Sequence, residues 1–303
     1  MIDTSHPTIE QWLSSLNRQG KSEFTVKSYR RGLSHFIRWS EQSYGQQFDP
    51  AAIIPRDVAD WVARQKTVEK AAPATVNARL VALSRYFKWA VKQGLSRTNP
   101  AEDIPRSRPS IRRPKALTDI YVRRLLRQVH KSGNLRDVAL VEFILGTGLR
   151  ISETLNVQVG DLSISERKGE VIVRHGKGGV QRRVPLTALV RKVLEAYMDQ
   201  HPDLTEDDLL WIGERGPLRD RSAVFYLLKK YARRAELDPD PISPHILRHT
   251  FATRYLKANP DDLRGLAAIL GHANLNTVMI YTEPTTEDLA VRMERAEVTD
   301  NDS

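Results

Sequence analysis

The feature that most constrains the fold of this chain is a basic, proline-rich stretch. Residues 98–115, TNPAEDIPRSRPSIRRPK, contain four prolines and no helical spacing of apolar side chains. Residues that precede proline are biased away from the helical conformation, so the stretch predicts an extended connection rather than part of a core. A chain of 303 residues is long enough for two cores. We therefore expect two domains joined by a linker over residues 98–115.

The region before this linker has the pattern of amphipathic helices. Residues 8–20 and 25–39 carry apolar side chains at three- and four-residue spacing, and the first of these segments stops at a glycine. A shorter candidate helix covers residues 57–66. Pro73 opens a strong helix that ends before Gly94. We expect residues 1–97 to form a four-helix domain.

The region after the linker predicts helices around one β-hairpin. Thr118 can cap a helix that runs to about residue 131, and a second helix covers about 135–145. The segments VIVRH and VQRRVPL alternate and flank a run of glycines, as the strands of a hairpin do. The expected fold class is mainly α with a small β-sheet in the second domain. We place that domain at residues 116–284, followed by a C-terminal segment at 285–303.

The net charge of +10 is distributed unevenly. Residues 106–115 contain five basic residues and no acidic one, whereas residues 283–303 contain two basic and seven acidic residues. A basic excess that spans both domains and peaks between them favours a nucleic acid partner, although ordinary solubilising charge is the alternative. The candidate DNA contacts are Arg79, Arg85, Lys88, Lys92, Arg112, Arg113, Arg182 and Arg183.

Composition excludes several classes of site. The chain has no cysteine, which excludes disulfides, thiolate nucleophiles and cysteine-ligated metals. The N-terminal sequence MIDTSHPTIEQWL lacks the basic and then apolar pattern of a signal peptide, and no apolar run is long enough to cross a bilayer. We expect a soluble cytoplasmic protein with no membrane partner.

The stretch SPHILRHTFA, residues 243–252, concentrates polar side chains. In a helix, His245, Arg248 and His249 share one face, which either carries chemistry or forms a polar buttress. A metal site is an alternative interpretation, because two histidines four residues apart together with His272 resemble a zinc ligand set. However, the glutamate of the HExxH signature is absent, and a guanidinium between two ligands repels a dication.

The stretch LGTGLRISE predicts an anion site. Arg150 follows Gly146 and Gly148, where a sharp turn leads into a helix that starts at about Arg150. Backbone N–H groups and a guanidinium at such a turn converge on one anion, most naturally a phosphate. The alternative is an exposed arginine that pairs with Glu153 one turn later.

Two further stretches carry groups that can transfer protons or attack. Lys177 lies between two glycines at the tip of the predicted hairpin, where it can donate a proton or remain a solvated turn lysine. The stretch LGHANLNTVMIY carries His272 and, nine residues later, Tyr281. A tyrosine considered alone is assigned to packing or to the surface.

Taken in order, these positions resemble the tyrosine site-specific recombinases of the phage integrase family, and most closely its compact bacterial Xer-type members. The resemblance rests on Arg150, Lys177, His245, Arg248, His272 and Tyr281, and it covers nearly the whole chain. It implies a helical, SAM-like core-binding domain followed by an α+β catalytic domain. It also implies a recombinase that cuts and rejoins DNA through a 3′-phosphotyrosine and a Holliday junction.

The resemblance implies a role for each position. The two arginines grip the scissile phosphate, His272 adds a hydrogen bond, Tyr281 attacks phosphorus and Lys177 protonates the leaving 5′ oxygen. His245 either orients the phosphate or takes the tyrosine proton. No metal or other cofactor is implied. His249 matches no catalytic position and is expected to be structural.

The resemblance also implies partners. These are double-stranded DNA with paired recognition sites and, in synapsis, a tetramer of this chain or a closely related recombinase partner in the nucleoid. Residues 286–296 predict a short amphipathic helix, and the resemblance favours docking on a neighbouring protomer over docking on its own domain. A DNA-binding protein of this fold that no longer cuts is the remaining rival, and an intact Tyr281 argues against it.

Overall fold

The computed structural model describes residues 6–107, 116–174, 181–271 and 293. The chain divides into two compact units, Met1–Arg112 and Arg113–Ser303. The division falls inside the basic, proline-rich stretch. Among the described residues, no helix combines the length and the apolar character that a bilayer crossing requires.

Helices build the described part of the first unit. They are α1 (Pro7–Arg18), α2 (Glu23–Tyr44), α3 (Pro55–Thr67) and α4 (Pro73–Lys92). Proline occupies the first turn of α1, α3 and α4, where its missing N–H costs no hydrogen bond. The side chain of Ser22 accepts a hydrogen bond from the Thr25 N–H at the start of α2. The four predicted helices are therefore confirmed, with α3 slightly longer than expected.

Aromatic side chains fill the core of the first unit. Phe36, Trp61 and Tyr86 are fully buried. Helices α2 and α4 approach closely at Gly32, where an added Cβ would lie 3.1 Å from the Cβ of Ala82. The small residues let the two helices close over the aromatic rings, which makes the α2–α4 pair the rigid centre of this unit.

The first ten residues of the predicted linker pack onto the helical unit. Ala101 is buried in its core. The side chain of Asn77 donates to the Ser107 carbonyl at 2.7 Å and accepts from the Ser107 N–H at 2.9 Å. Residues 98–107 therefore belong to the first unit rather than to a free connection, because an amide on α4 satisfies their backbone. Residues 108–115 lie outside the described part.

The second unit combines helices with short strands. Its helices are α5 (Asp119–Lys131), α6 (Leu135–Thr147), α7 (Ile151–Leu155), α8 (Ala188–Met198), α9 (Arg221–Arg234), α10 (Pro244–Ala258) and α11 (Leu263–Leu270). Its strands are β1 (Leu162–Ile164), β2 (Gly169–Val173), β3 (Arg182–Pro185), β4 (Ile212–Gly213) and β5 (Gly216–Pro217). The predicted N-cap Thr118 accepts from the Tyr121 N–H and starts α5.

An antiparallel sheet in the order β1-β2-β3 contains the predicted hairpin. Val171 pairs with Leu162 on one side and with Val184 on the other, and both valines are buried. Strand β1 and the small β4–β5 sheet were not expected from the sequence. They are two or three residues long, too short to produce a recognisable alternation.

Helix α6 lies at the centre of the second unit. Its residues from 138 to 145 are all buried, so it is covered on all sides rather than amphipathic. Its buried Asp137 accepts a hydrogen bond from the Tyr231 hydroxyl at 2.7 Å, and its buried Glu142 lies 2.8 Å from Nε2 of His130. This central helix delivers its C-terminal turn, with Gly148 and Arg150, to a fixed position.

Candidate active site

The turn after α6 requires glycine. Gly148 has a φ of +63°, in the left-handed region, and an added Cβ would lie 2.3 Å from Cδ1 of Phe251. The turn ends α6 and places Arg150 immediately before α7. The sharp glycine turn predicted from the sequence is confirmed.

Arg248 lies beneath this turn on α10. The side chain of Ser243 caps this helix by accepting from the Ile246 N–H. The Arg248 residue is 2 % exposed, Nη1 donates to the Gly148 carbonyl at 2.7 Å, and Nη2 donates to the Leu270 carbonyl at 2.9 Å. The guanidinium therefore joins the glycine turn to the last turn of α11.

Arg150 meets Arg248 at the same carbonyl. Its Nη1 lies 3.4 Å from the Leu270 oxygen and 2.8 Å from Oε1 of Glu153, while its backbone N–H donates to Oε2 of Glu153 at 2.9 Å. The expectation that Glu153 pairs with Arg150 is confirmed. Two guanidiniums thus converge at the C-terminal end of α11, where the helix dipole favours positive charge.

A third arginine shares the same carboxylate. Nη2 and Nη1 of Arg182 contact Oε2 and Oε1 of Glu153 at 2.8 and 3.2 Å, and Nε donates to the Ile269 carbonyl at 2.8 Å. The Arg182 side chain is 10 % exposed. This placement differs from the exposed DNA contact expected from the sequence, because the guanidinium is held inside the unit.

Glu153 is the buried centre of this group, which we call the Glu153 cluster: Arg150, Glu153, Arg182 and Arg248. The nearest approach of Arg248 to the carboxylate is 3.8 Å. Burial raises the pKa of Glu153, but hydrogen bonds from Arg182 and from the Arg150 N–H, together with both arginine charges, outweigh it and hold the pKa below its usual value. Glu153 is therefore ionised at neutral pH.

The two histidines of α10 favour the neutral form. Partial burial lowers the pKa of His245, and the charges of Arg248 and Arg150 lower it further. Burial also lowers the pKa of His249, with a smaller contribution from His245. His249 is half-buried with Nδ1 3.3 Å from the Thr253 hydroxyl, an arrangement that fits a structural role.

The alternative of a metal site depends on residues that are only partly described. Within residues 6–107, 116–174 and 181–271, no group of three or more histidine, aspartate or glutamate side chains is arranged to hold a metal ion. His272, the third ligand in that interpretation, lies outside the described residues, as do Lys177 and Tyr281. The structure therefore brings together Arg150, His245 and Arg248 from the six catalytic candidates.

The candidate DNA contacts fall into two groups. Arg85, Lys88 and Lys92 are exposed on α4, and Arg85 lies over the Tyr29 ring at 5.7 Å. Arg79, on the same helix, instead donates to Gln65 inside the first unit. The two remaining candidates of the linker, Arg112 and Arg113, lie outside the described residues.

The sequence contained a signal that separates Arg182 from Arg183. Side chains alternate along a strand, so Arg182 shares a face with the buried Val184 and Arg183 faces the opposite side. Arg183 is indeed exposed and pairs with Glu170 at 2.7 Å. Strand periodicity alone therefore indicates that Arg182 points inward.

Comparisons with known proteins agree with this architecture. The family model described as the phage integrase family matches residues 115–288, and the model for the N-terminal SAM-like domain of phage integrases matches residues 9–94. Tyrosine recombinase XerD of Yersinia pestis is 33 % identical over 297 residues, covering 95 % of this chain and 96 % of the relative. Tyrosine recombinase XerC of Neisseria gonorrhoeae is 31 % identical over 290 residues, covering 93 % and 92 %.

Solved structures share the fold. A XerH site-specific recombinase bound to its difH substrate aligns with a TM-score of 0.72 at 21 % identity, over 96 % of this chain and 83 % of that one. A lambda integrase dimer bound to a core site aligns with a TM-score of 0.72 at 17 % identity, over 99 % of both chains. The chain belongs to the phage integrase family and is a tyrosine site-specific recombinase, an enzyme that cuts and rejoins DNA strands.

Proposed function

We propose that Arg150 and Arg248 bind the scissile phosphate and that Tyr281 is the nucleophile. The observation that carries this proposal is the convergence of two guanidiniums on the Leu270 carbonyl. Helix α11 ends at Leu270, two residues before His272. A phosphodiester in the act of cleavage carries negative charge on its non-bridging oxygens, and fixed guanidiniums stabilise that charge without reorganisation.

The proposed step balances as a phosphoryl transfer. The Tyr281 phenolic oxygen forms a bond to phosphorus while the bond from phosphorus to the 5′ oxygen breaks. The Lys177 ammonium donates a proton to that oxygen, so the products are a 3′-phosphotyrosine and a 5′-hydroxyl. Attack by a 5′-hydroxyl from the other duplex reverses the step and rejoins the strands. One round of exchange gives a Holliday junction.

The phenolic proton needs an acceptor, because the pKa of a free tyrosine is about 10. The pKa of His245 is lowered by partial burial and by Arg248 and Arg150, which keeps the ring neutral and able to accept a proton at neutral pH. This supports His245 as the base, and orientation of the phosphate is its second possible role. His272 is assigned a hydrogen bond to the phosphate by the family resemblance.

Double-stranded DNA with paired recognition sites is the proposed substrate, and the enzyme acts in the cytoplasm on the nucleoid. The exposed Arg85, Lys88 and Lys92 of α4 support a DNA-contacting face on the first unit. We propose a tetramer in synapsis, formed by this chain or with a related recombinase. The lambda integrase relative is a dimer on its core site, and XerC and XerD are both among the relatives. Docking of residues 286–296 in trans remains a prediction.

The covalent intermediate provides the test. Covalent protein–DNA complexes are recovered from host cells under denaturing conditions, and the attached DNA is sequenced to define the site. Purified protein is then tested on a duplex with that sequence. The parent and the control Tyr226→Phe, an exposed tyrosine on α9, should give a denaturant-resistant adduct. Tyr281→Phe should bind the duplex equally well and give no adduct. If Tyr281→Phe still forms adducts, the nucleophile is a residue other than Tyr281.

A further inference from the structure

The guanidinium of Arg182 is fully engaged within the Glu153 cluster and the end of α11. Each of its three guanidinium nitrogens makes a hydrogen bond, two to Glu153 and one to the Ile269 carbonyl. These bonds tie β3 to α7 and to the end of α11. An arginine fork that satisfies two carboxylate oxygens and a carbonyl at once cannot be replaced by a point charge.

The end of α11 closes directly over this guanidinium. Gly271 has a φ of +64°, and an added Cβ would lie 2.8 Å from Nη1 and 2.9 Å from Cζ of Arg182. A side chain at position 271 would therefore displace Arg182. Glycine at position 271 therefore keeps the space beside the Arg182 guanidinium free of a side chain.

Arg150 uses only part of its hydrogen-bonding capacity. Both of its guanidinium bonds to described residues come from Nη1, to Glu153 and to the Leu270 carbonyl. Nε and Nη2 make no bond within the described part of the chain, and the side chain is 30 % exposed. These are the two nitrogens that a bidentate interaction with phosphate needs.

The hydrogen bonds from Arg182 to Glu153 explain why Nε and Nη2 of Arg150 remain available to a ligand. A buried carboxylate is costly unless it is fully paired. With Arg182 present, each oxygen of Glu153 accepts one bond from Arg182 and one from Arg150. Without Arg182, the carboxylate would draw the Arg150 guanidinium into a closer, two-pronged pair and turn it away from a ligand.

We propose that Arg182 is a positioning residue for strand cleavage, which satisfies Glu153 and thereby keeps Arg150 oriented toward the scissile phosphate. This inference rests on the proposed role of Arg150. It assigns to Arg182 no direct contact with DNA. It predicts that a loss of Arg182 slows cleavage and leaves DNA affinity unchanged.

The test measures two quantities for each variant: the single-turnover rate of covalent adduct formation at saturating protein, and the affinity for the same duplex. The variants are Arg182→Met, Arg182→Lys, Glu153→Gln, the double variant Arg182→Met/Glu153→Gln, and Arg150→Ala. The matched control is Arg191→Met. Arg191 is a partly buried arginine of the same unit that donates to the Leu186 and Glu166 carbonyls, so it tests the loss of a structural arginine outside the Glu153 cluster.

Misplacement of one catalytic group by about 1 Å costs about 100-fold in rate, and we expect a loss of that order for Arg182→Met. The melting temperature should fall in both Arg182→Met and Arg191→Met, and further in the first because the buried Glu153 loses a partner, whereas only Arg182→Met should lose rate. Arg182→Lys should recover part of the rate. Because the effect passes through the charge of Glu153, the double variant should be no slower than Arg182→Met alone.

Three results would overturn the inference. These are a parental rate for Arg182→Met or Arg182→Lys, rate losses that multiply in the double variant, and a large loss of DNA affinity in Arg182→Met, which would indicate a direct contact with DNA. Arg150→Ala separates this inference from the proposed function. A slow Arg150→Ala with a fast Arg182→Met refutes the positioning role alone, whereas a fast Arg150→Ala refutes the role of Arg150 on which it depends.

Discussion

Each unit contains an arginine cluster, and the two clusters differ in their balance of charge. In the first unit, Arg79 donates to Gln65 at 3.0 Å and to Glu69 at 3.3 Å. In the second unit, three arginines share one buried carboxylate, Glu153. The first arrangement pairs one guanidinium with one carboxylate through a hydrogen bond, whereas the second places three guanidiniums around one carboxylate, and this excess of positive charge favours an anionic ligand.

The cluster of the first unit consists of His35, Gln65, Glu69 and Arg79, and its histidine has a defined hydrogen-bonding state. The Trp61 indole N–H, which can only donate, lies 3.0 Å from Nδ1 of His35, so that nitrogen is an acceptor. In the neutral ring Nε2 then carries the proton and donates to Glu69 at 3.0 Å. Burial lowers the pKa of His35, and the charge of Arg79 lowers it further. Nη1 of Arg79 lies 3.0 Å from the same Nε2, which as a donor cannot accept from it, so Gln65 and Glu69 are the acceptors of this guanidinium.

The comparison teaches that an arginine's partners indicate its role better than its position on a helix face. Arg79 and Lys88 lie on the same helix and were expected to contact DNA together, yet the Arg79 side chain is held by its own unit while Lys88 is exposed. Among the described contacts Arg150 and Arg79 are each held through Nη1 alone, so what separates them is the number of guanidiniums around the carboxylate that each contacts.

The largest difference between the clusters should appear when one arginine is removed from each. Arg248→Ala leaves the Gly148 and Leu270 carbonyls and the buried Glu153 short of a partner, and breaking a buried ion pair costs about 3–5 kcal/mol. Arg79→Ala, at a more exposed site, should cost about 1–2 kcal/mol. Urea unfolding of each variant, with hydrogen exchange to assign the loss to a unit, checks this. Equal losses would contradict the distinction.

Two glycines with positive φ give the next largest effect. Gly148→Ala combines a backbone cost of about 1–3 kcal/mol with a collision, because the added Cβ would lie 2.3 Å from a carbon of the Phe251 ring. Gly94→Ala in the first unit has a similar φ of +72° but an added Cβ would meet nothing within 4 Å. The Gly148 variant should therefore melt lower and cleave more slowly. Matching behaviour of the two variants would mean that the turn can relax.

The salt dependence of DNA binding should distinguish Arg79, which is held by its own unit, from the exposed cations of α4. Removing one phosphate contact lowers the slope of log affinity against log salt concentration by about one. Lys88→Ala should show that change, whereas Arg79→Ala should weaken the fold of the first unit and leave the slope intact. A titration of duplex binding from low to moderate salt measures both. A reduced slope for Arg79→Ala would return that residue to the DNA interface.

The smallest expected effect is a change in the pH dependence of the cleavage rate. The pKa of His245 is lowered from 6.5 by partial burial and by Arg248 and Arg150, so the ring becomes protonated only below that value. If His245 accepts the tyrosine proton, the cleavage rate should be level near neutral pH and should fall as pH drops through the lowered pKa. His245→Gln should be slower and lack this acidic limb. An unchanged limb in that variant would assign His245 to orientation of the phosphate.

Local sequence patterns predict much of the fold and part of the candidate site. The helix start at Thr118 follows from a side-chain cap, the turn at Gly148 follows from the need for a left-handed residue, and the pairing of Arg150 with Glu153 follows from helical spacing. The sequence also indicated the family, through six positions in order.

Contacts between distant segments were not predictable in the same way. The partners of Arg182 lie 29 and 87 residues away along the chain, and Asn77 binds Ser107 from 30 residues away. No local spacing encodes such contacts, so the sequence predicts a DNA contact for Arg182 and an extended linker that includes residues 98–107. Strand periodicity could have placed Arg182 inward, but not against Glu153.

The central claim is that the Glu153 cluster neutralises charge on the scissile phosphate. The most direct measurement compares Arg150→Ala and the parent on two duplexes, one with the natural phosphate and one with a neutral methylphosphonate at the cleaved position. Loss of one such donor costs about 10²–10³ in rate, which we expect on the phosphate. On the methylphosphonate, where one negative charge is already absent, the loss should be much smaller. An equal loss on both duplexes would contradict the claim.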